Sequence, residues 1–214
     1  QYTGGTTGLP KGAMLTQFSA LFKSATAYSN ARVVREDSIV LAIAPIFHIA
    51  GMLVGVDAPI LAGATVVLLV GFDPETTMMA IDKYKINYFT GTVPMNVAIM
   101  NHPNRGKYDL SSLRLTLTMS FGITLTEEIA KQWAEVTKGG ILVEAAYGLS
   151  ETHTFDTFVP LNKIKYGNCG IPNAETDIRI FDFDDRTKEL PIGEEGEIAV
   201  KGPANFKGYW NKPE

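Results

Sequence analysis

Short apolar runs that alternate with helical stretches constrain this chain more than any other feature. Residues 39–44, 65–69 and 141–145 form near-continuous apolar runs of strand length, and 87–92 and 115–119 read as strands of the same length with threonines among their apolar residues. Between them, residues 49–61, 74–84, 94–100 and 126–137 read as helices, with Thr126 ahead of Glu127 and Glu128 marking an N-terminus. A further helix is predicted over 16–34, capped by Thr16, with Phe18, Leu21, Phe22 and Ala25 at helical spacing. Strands apolar on both faces and separated by helices predict an α/β fold, a mostly parallel sheet flanked by helices. Beyond Lys163 the pattern changes. Residues 176–181 and 196–200 alternate apolar and polar positions around an acidic turn region, 182–195, which predicts a small antiparallel β-rich subdomain at the C-terminal end. The expected division is a core over 1–162 and the β-rich subdomain over 163–214.

Composition excludes several classes. With 214 residues, 45% hydrophobic and 20% charged, the chain can bury a sizeable core, and no repeat or low-complexity segment interrupts it. The net charge of -4 over mixed signs leaves no basic stripe, so nucleic acid is not an expected partner. The single Cys169 cannot form an intramolecular disulfide, and no Cys/His grouping has metal-ligand spacing, which favours a reducing, cytoplasmic setting. The most apolar stretch, 39–70, is interrupted by Pro45, His48, Asp57 and Pro59 and by glycines at 51, 55 and 63, so it reads as buried core and not as a transmembrane segment. No signal peptide opens the sequence.

What opens it is Tyr2-Thr3-Gly4-Gly5-Thr6-Thr7-Gly8-Leu9-Pro10-Lys11-Gly12. Glycines let consecutive N–H groups turn into one anion-binding concavity, threonine hydroxyls add neutral donors, and Lys11 adds charge. Lys11 lies between Pro10 and Gly12, which excludes a Walker A loop and its Gly-Lys-Ser/Thr. A flexible surface turn is the alternative, and the fixed φ of Pro10 beside a single cation argues against it.

Two further segments carry chemical groups. Ala146-Tyr147-Gly148-Leu149-Ser150-Glu151-Thr152 follows an apolar strand, where open parallel sheets bind ligands. Glu151 offers the hard oxygen that Mg²⁺ takes together with substrate phosphates, Ser150 can donate to a phosphoryl oxygen, and Tyr147 offers a ring to adenine. Alone, this stretch also reads as an ordinary loop with a solvated carboxylate. In Pro45-Ile46-Phe47-His48-Ile49-Ala50-Gly51-Met52, a lone histidine in an apolar run is either a core residue or a pocket wall.

Together these segments resemble the adenylate-forming superfamily of acyl-CoA synthetases, aryl-CoA ligases, luciferases and peptide-synthetase adenylation domains. That family's loop reads Tyr-Thr-Ser/Gly-Gly-Thr-Thr-Gly-x-Pro-Lys-Gly, and its later motif Tyr-Gly-Leu/Met-Thr/Ser-Glu. Gly4 and the continuation Ala13-Met14-Leu15-Thr16 are most similar to the fatty acyl-CoA synthetase branch. Residues 45–51 resemble its Pro-x-Phe-His-x-x-Gly segment. Residues 193–203 resemble Gly-Glu-x-Gly-Glu-Ile-x-Val-x-Gly-Pro, and 208–214 resemble Gly-Tyr-x-x-x-Pro-Glu, a stretch read as structural.

The resemblance implies activation of a carboxylic, fatty, acid by Mg·ATP to an acyl-adenylate, then transfer to coenzyme A. It assigns Glu151 and Thr3 to Mg²⁺, and Ser150, Thr6, Thr7 and Lys11 to the triphosphate. Thr3, Lys11 and Glu151 are thereby the expected catalytic residues. Tyr147, with Gly4, Gly5, Gly8, Gly122, Ala146 and Gly148, completes the nucleotide cradle, and His48, Gly51, Met52, Phe121 and Gly122 border the acyl pocket. The division above becomes an ATP- and acyl-binding core followed by the β-rich unit. Expected partners are the acid, ATP and coenzyme A, with a homodimer left open. An amino-acid or aryl-acid adenylation domain is the alternative enzyme, and a non-catalytic nucleotide-binding module the alternative of another class.

Two departures stand out. Ser120-Phe121-Gly122-Ile123-Thr124-Leu125 replaces the family's Ser-Gly-Gly-Ala-Pro-Leu, so a ring stands where glycine is usual, predicting a displaced turn or a shortened pocket. Ala146 replaces a glycine, a small change; Gln17 is neutral. His102 and His153 lack partners at useful spacing, Met78-Met79 reads as helix filling, and Lys138-Gly139-Gly140 as a helix end. The family's Thr-Gly-Asp segment, its mobile C-terminal domain and its N-terminal region have no counterpart here. The expectation is a central fragment of a longer enzyme, inactive alone.

Overall fold

A computed structural model describes residues 1–4, 8–31 and 34–212. The first half runs β1 (Tyr2–Thr3), β2 (Lys11–Gly12), α1 (Gln17–Ala31), β3 (Ile39–Ala42), α2 (Ile49–Met52), a π-helical turn (Leu53–Asp57), α3 (Ala58–Ala62), β4 (Thr65–Leu68) and α4 (Pro74–Tyr84). There follow β5 (Tyr88–Thr92), α5 (Val93–Met100), β6 (Leu115–Met119), α6 (Glu127–Val136), β7 (Ile141–Glu144), β8 (Thr157–Phe158), β9 (Ile171–Pro172), β10 (Asp177–Phe181) and β11 (Glu197–Lys201).

The central sheet has the order β4-β3-β5-β6-β7, and every neighbouring pair is parallel, as expected. Strands β3, β5, β6 and β7 bury both faces because successive side chains point to opposite sides, whereas the edge strand β4 is largely exposed. Leu41, Phe89 and Leu142 enter one cluster with Met78, Ile81, Val93, Ile99 and Trp133 of α4, α5 and α6. Their neighbours Val40, Tyr88 and Val143 enter a second with Val34, Leu115, Leu117 and Val159. Each large side chain fully buried this way contributes roughly 1.5–3 kcal/mol, so the sheet is held mainly by its two faces.

Helix boundaries follow local chemistry. Thr16 and Ser19 cap α1 reciprocally: the Ser19 N–H donates to Thr16 Oγ1 at 3.0 Å and the Thr16 N–H to Ser19 Oγ at 3.1 Å. The Asp73 carboxylate accepts the Thr76 N–H at 2.8 Å, Pro74 fills the first turn of α4, and the helix stops at left-handed Lys85. Thr126 Oγ1 accepts the Ile129 N–H at 3.2 Å to start α6. The helix expected over 49–61 runs without a gap from Ile49 to Ala62, with a π-helical turn over Leu53–Asp57 in its middle. Pro59 has no N–H to return to Gly55, and the ladder widens just upstream, where the Ala58 N–H reaches Leu53 O. Met78 fills the core as expected, whereas its neighbour Met79 is exposed.

In the C-terminal region β10 and β11 pair antiparallel from Asp177↔Lys201 to Phe181↔Glu197, the ribbon expected from the alternation there. β8 and β9 pair across position 162/163. Among the described residues no helix is long and apolar enough to cross a membrane. Segments leaving the carboxyl ends of β3, β4, β6 and β7 all lie on one edge of the parallel sheet, the edge where such sheets bind ligands.

Candidate functional site

The two ends of the glycine–threonine segment form a two-stranded hairpin base. β1 and β2 pair antiparallel with Thr3 opposite Lys11, so the register sets the hydroxyl-bearing and cationic residues side by side at its base. Gly4 follows β1 and Gly8 precedes β2; Gly5, Thr6 and Thr7 lie outside the described residues. The Gln1 side-chain amide donates to Phe47 O, tying the hairpin to the segment after β3.

A third strand-like piece lies along β2. Ala13 bridges Tyr209, the Trp210 N–H donates to Gly12 O at 2.8 Å, the Met14 N–H to Gly208 O at 3.0 Å, and the Lys207 N–H to Met14 O at 2.9 Å. This places Tyr209 between the hairpin and the motif loop. Its O–H donates to Glu151 Oε1 at 2.6 Å, and Lys11 Nζ stands 5.0 Å from its ring centroid. The Glu151 bond, followed by burial, pushes the Tyr209 phenol up to about 12, so it stays a donor through the physiological range. Phe206 meets the Tyr209 ring edge-on at 4.9 Å, and the Phe206 N–H donates to Glu151 O at 2.7 Å. A structural reading of 208–214 leaves out its one hydroxyl, on Tyr209, which reaches Glu151.

The motif loop after β7 is tightly folded. Tyr147, half-buried, accepts the Asp156 N–H at 2.8 Å and sends its own N–H to Thr157 Oγ1 at 2.8 Å; burial raises its phenol's affinity for the proton. Gly148 must be glycine, because a Cβ there would stand 2.5 Å from Phe155 N. Ser150 and Glu151 open a 3₁₀ turn, Ser150–Thr152, and His153, Thr154 and Phe155 then follow with φ of 58°, 54° and 57°. Three successive non-glycine residues in the left-handed region cost roughly 1–2 kcal/mol each, so neighbouring contacts must enforce the bend. They do: Thr152 donates its hydroxyl to Asp156 Oδ2, Asp156 Oδ1 meets Lys23 Nζ at 2.6 Å, and Lys23 Nζ also reaches Phe155 O at 3.2 Å. The pair is buried, with 2% and 1% of the two side chains exposed. Burial pushes the Lys23 amine down and the Asp156 carboxyl up, against the mutual attraction of the two charges.

His153, expected to lack a partner, is buried with Nε2 3.7 Å from Asp57 Oδ2 of the π-helical turn. His48 is neither a core residue nor a wall of the apolar groove described below: it is exposed and caps α2, accepting the Ala50 N–H on Nδ1 at 3.2 Å. Gly51 is fixed by close approach, since a Cβ would meet Pro45 O at 2.2 Å. Met52 is 37% exposed. The turn after β6 is held by Glu144, which accepts the Ser120 N–H at 2.9 Å and the Ser120 hydroxyl at 2.5 Å. On it Phe121 is 78% exposed, projecting outward beside Gly122. An apolar groove of about 560 Å³ opens on the same sheet edge, lined by Ile43, Phe47, Leu69, Val70, Phe72 and Met95 among others, with no charged side chain. Of the residues expected at the acyl pocket, none lines this groove.

No group of three or more His, Cys, Asp or Glu side chains that could hold a metal ion occurs among the described residues. The Glu151 carboxylate shares Tyr209 with Lys11, and a single carboxylate beside one cation suits a hard cation that arrives with a polyphosphate and keeps its own waters.

The same architecture recurs in known proteins. A long-chain-fatty-acid–CoA ligase of Bacillus subtilis is 40% identical over 217 residues, which cover all of this chain and 38% of that protein. A feruloyl-CoA synthase of an Amycolatopsis species is 32% identical, covering the whole chain and 42% of the relative. The crystal structure of ATP-bound MatB from Rhodopseudomonas palustris superposes with a TM-score of 0.84 at 28% identity, over the whole chain and 41% of that protein. The chain thus spans about two fifths of these relatives. Residues 1–210 match the family described as AMP-binding enzyme, and the chain belongs to that family.

Proposed function

We propose that this chain supplies the nucleotide- and acyl-binding part of an acyl-CoA synthetase. In this reading the protein that carries it joins a fatty or related carboxylic acid to ATP, forming an acyl-adenylate and pyrophosphate, and then passes the acyl group to coenzyme A. The observation that carries the reading is the meeting of Lys11 and Glu151 around Tyr209, two charged groups from distant motifs on the ligand-binding edge of the sheet.

The chemistry asks for this arrangement. A carboxylate oxygen attacks the α-phosphorus while the bond to pyrophosphate breaks, so two anions must be brought together and a third released. Lys11 and the loop donors hold the triphosphate, and Thr3 and Glu151 would hold Mg²⁺, which neutralises phosphate charge when bound. The protein's part is positioning and preorganised charge. Tyr147 and the Ser120–Gly122 turn would border the adenosine. The uncharged groove supports an apolar acid over an amino acid, whose ammonium group would need an acidic partner there.

A core over 1–162 and a β-rich unit over 163–214 belong to the same reading, supported by the change from parallel sheet to antiparallel ribbon. A cytoplasmic setting without nucleic-acid partners is supported by the single unpaired Cys169 and the net charge of -4.

Acid-dependent pyrophosphate release by the full-length protein, across saturated fatty and aryl acids, tests the proposal. Release is expected to be strongest with fatty acids, and silence across the panel overturns it. Lys11→Ala and Glu151→Ala should each lower adenylate formation about 100-fold or more while leaving the fold intact; near-normal turnover removes the residue's assigned role.

A further inference from the structure

Tyr209 touches both charged arms of the site. Lys11 and Glu151 approach the same phenol from different sides, one on the ring face and one at the hydroxyl, and no ion pair joins them directly among the described residues. The phenol stands between two opposite charges that would otherwise be free to draw together, and an ion pair so formed would have to be separated by a ligand before either charge could be used. A phenol satisfies each without neutralising either: the ring quadrupole holds the cation, and the O–H holds one oxygen of the carboxylate. Tyr209 is among the described residues the one side chain bonded to Glu151, and it occupies Oε1 alone. Its own place is overdetermined, since residues 207–210 pair with 12–14 through the backbone and the Phe206 N–H reaches Glu151 O.

Resting on the reading of this site as a Mg·ATP clamp, we propose that Tyr209 is a positioning residue that keeps Lys11 and Glu151 apart and preset for the metal–nucleotide. It touches neither reacting atom. Its contribution is that both charges are already in place, uncancelled, when the nucleotide arrives.

Calorimetric binding to the full-length protein, without acid or coenzyme A so that no turnover occurs, separates this role from a structural one. Tyr209→Phe keeps the ring under Lys11 and removes only the bond to Glu151. It should weaken Mg·ATP about tenfold, the order expected for losing a hydrogen bond to a charged group, and leave metal-free ATP within about twofold. Tyr209→Leu removes the ring as well and should weaken both forms. In steady-state assays of Tyr209→Phe the KM for ATP should rise and the KM for the acid stay unchanged. Equal loss of Mg·ATP and metal-free ATP in Tyr209→Phe, or no loss of either, overturns the inference. Glu151→Ala is the control: if it abolishes the Mg²⁺ dependence while Tyr209→Phe changes nothing, the Tyr209 inference alone falls. If Glu151→Ala keeps the wild-type Mg²⁺ dependence, the clamp reading falls with it.

Discussion

A lysine and an aspartate with no part in the proposed reaction bind the two halves of the site to each other. Lys23, on the helix that follows the glycine–threonine loop, meets Asp156 at 2.6 Å in the interior, and Asp156 in turn holds Thr152, the residue after Glu151. Removing one partner leaves an uncompensated buried charge. Lys23→Met should therefore cost about 3–5 kcal/mol in urea unfolding, whereas Lys23→Met combined with Asp156→Leu should recover much of that loss. No spacing rule could have paired these residues, which lie 133 positions apart. Tyr209 and Glu151 escaped the sequence for the same reason. What was legible at this scale were groups whose partner lies within three residues: the caps Thr16 and Thr126 were readable because capping is local.

Elements were legible where one periodicity ran without interruption. β6 and α4 fall on the residues expected, and β5 and β7 within a residue, because strands buried on both faces and helices with a cap at one end leave little choice. The 49–61 helix formed as expected but widened to a π-helical turn just ahead of Pro59, a local change of winding that periodicity does not weigh. The cap of α4 sets a measurable quantity: Asp73→Ala should lower stability by about 1 kcal/mol in a urea melt. Between elements, Asp109 joins the ends of α4 and α6 through Lys85 and Lys138 and accepts the Ser111 N–H. The bonds from Ser111, then Lys138, hold its carboxyl at about 2. An aspartate in the unfolded chain titrates near roughly 3.9. The depressed value favours the folded state above about pH 4, and that contribution disappears as the pH falls through about 2. Asp109→Asn should flatten the pH dependence of the urea midpoint over that window and leave it unchanged near neutrality.

At the scale of the whole molecule, the α/β architecture followed from the alternation of runs, while the assembly of the site did not. Three motifs meet because the β1–β2 hairpin is clasped on one side by Gln1 to Phe47 and on the other by residues 207–210. Deleting 205–212 should strip hydrogen-exchange protection from the amides of residues 12–14 while β3, β5 and β6 keep theirs; protection retained at residues 12–14 would show that the hairpin stands without the tail. That clasp also fixes an order of events during synthesis. Within residues 1–212 the glycine–threonine loop is synthesised well before Tyr209, the residue whose ring its lysine meets. Until Tyr209 emerges, Lys11 and Glu151 have no shared partner, so the clasped hairpin is completed only after the strands of the sheet have been made.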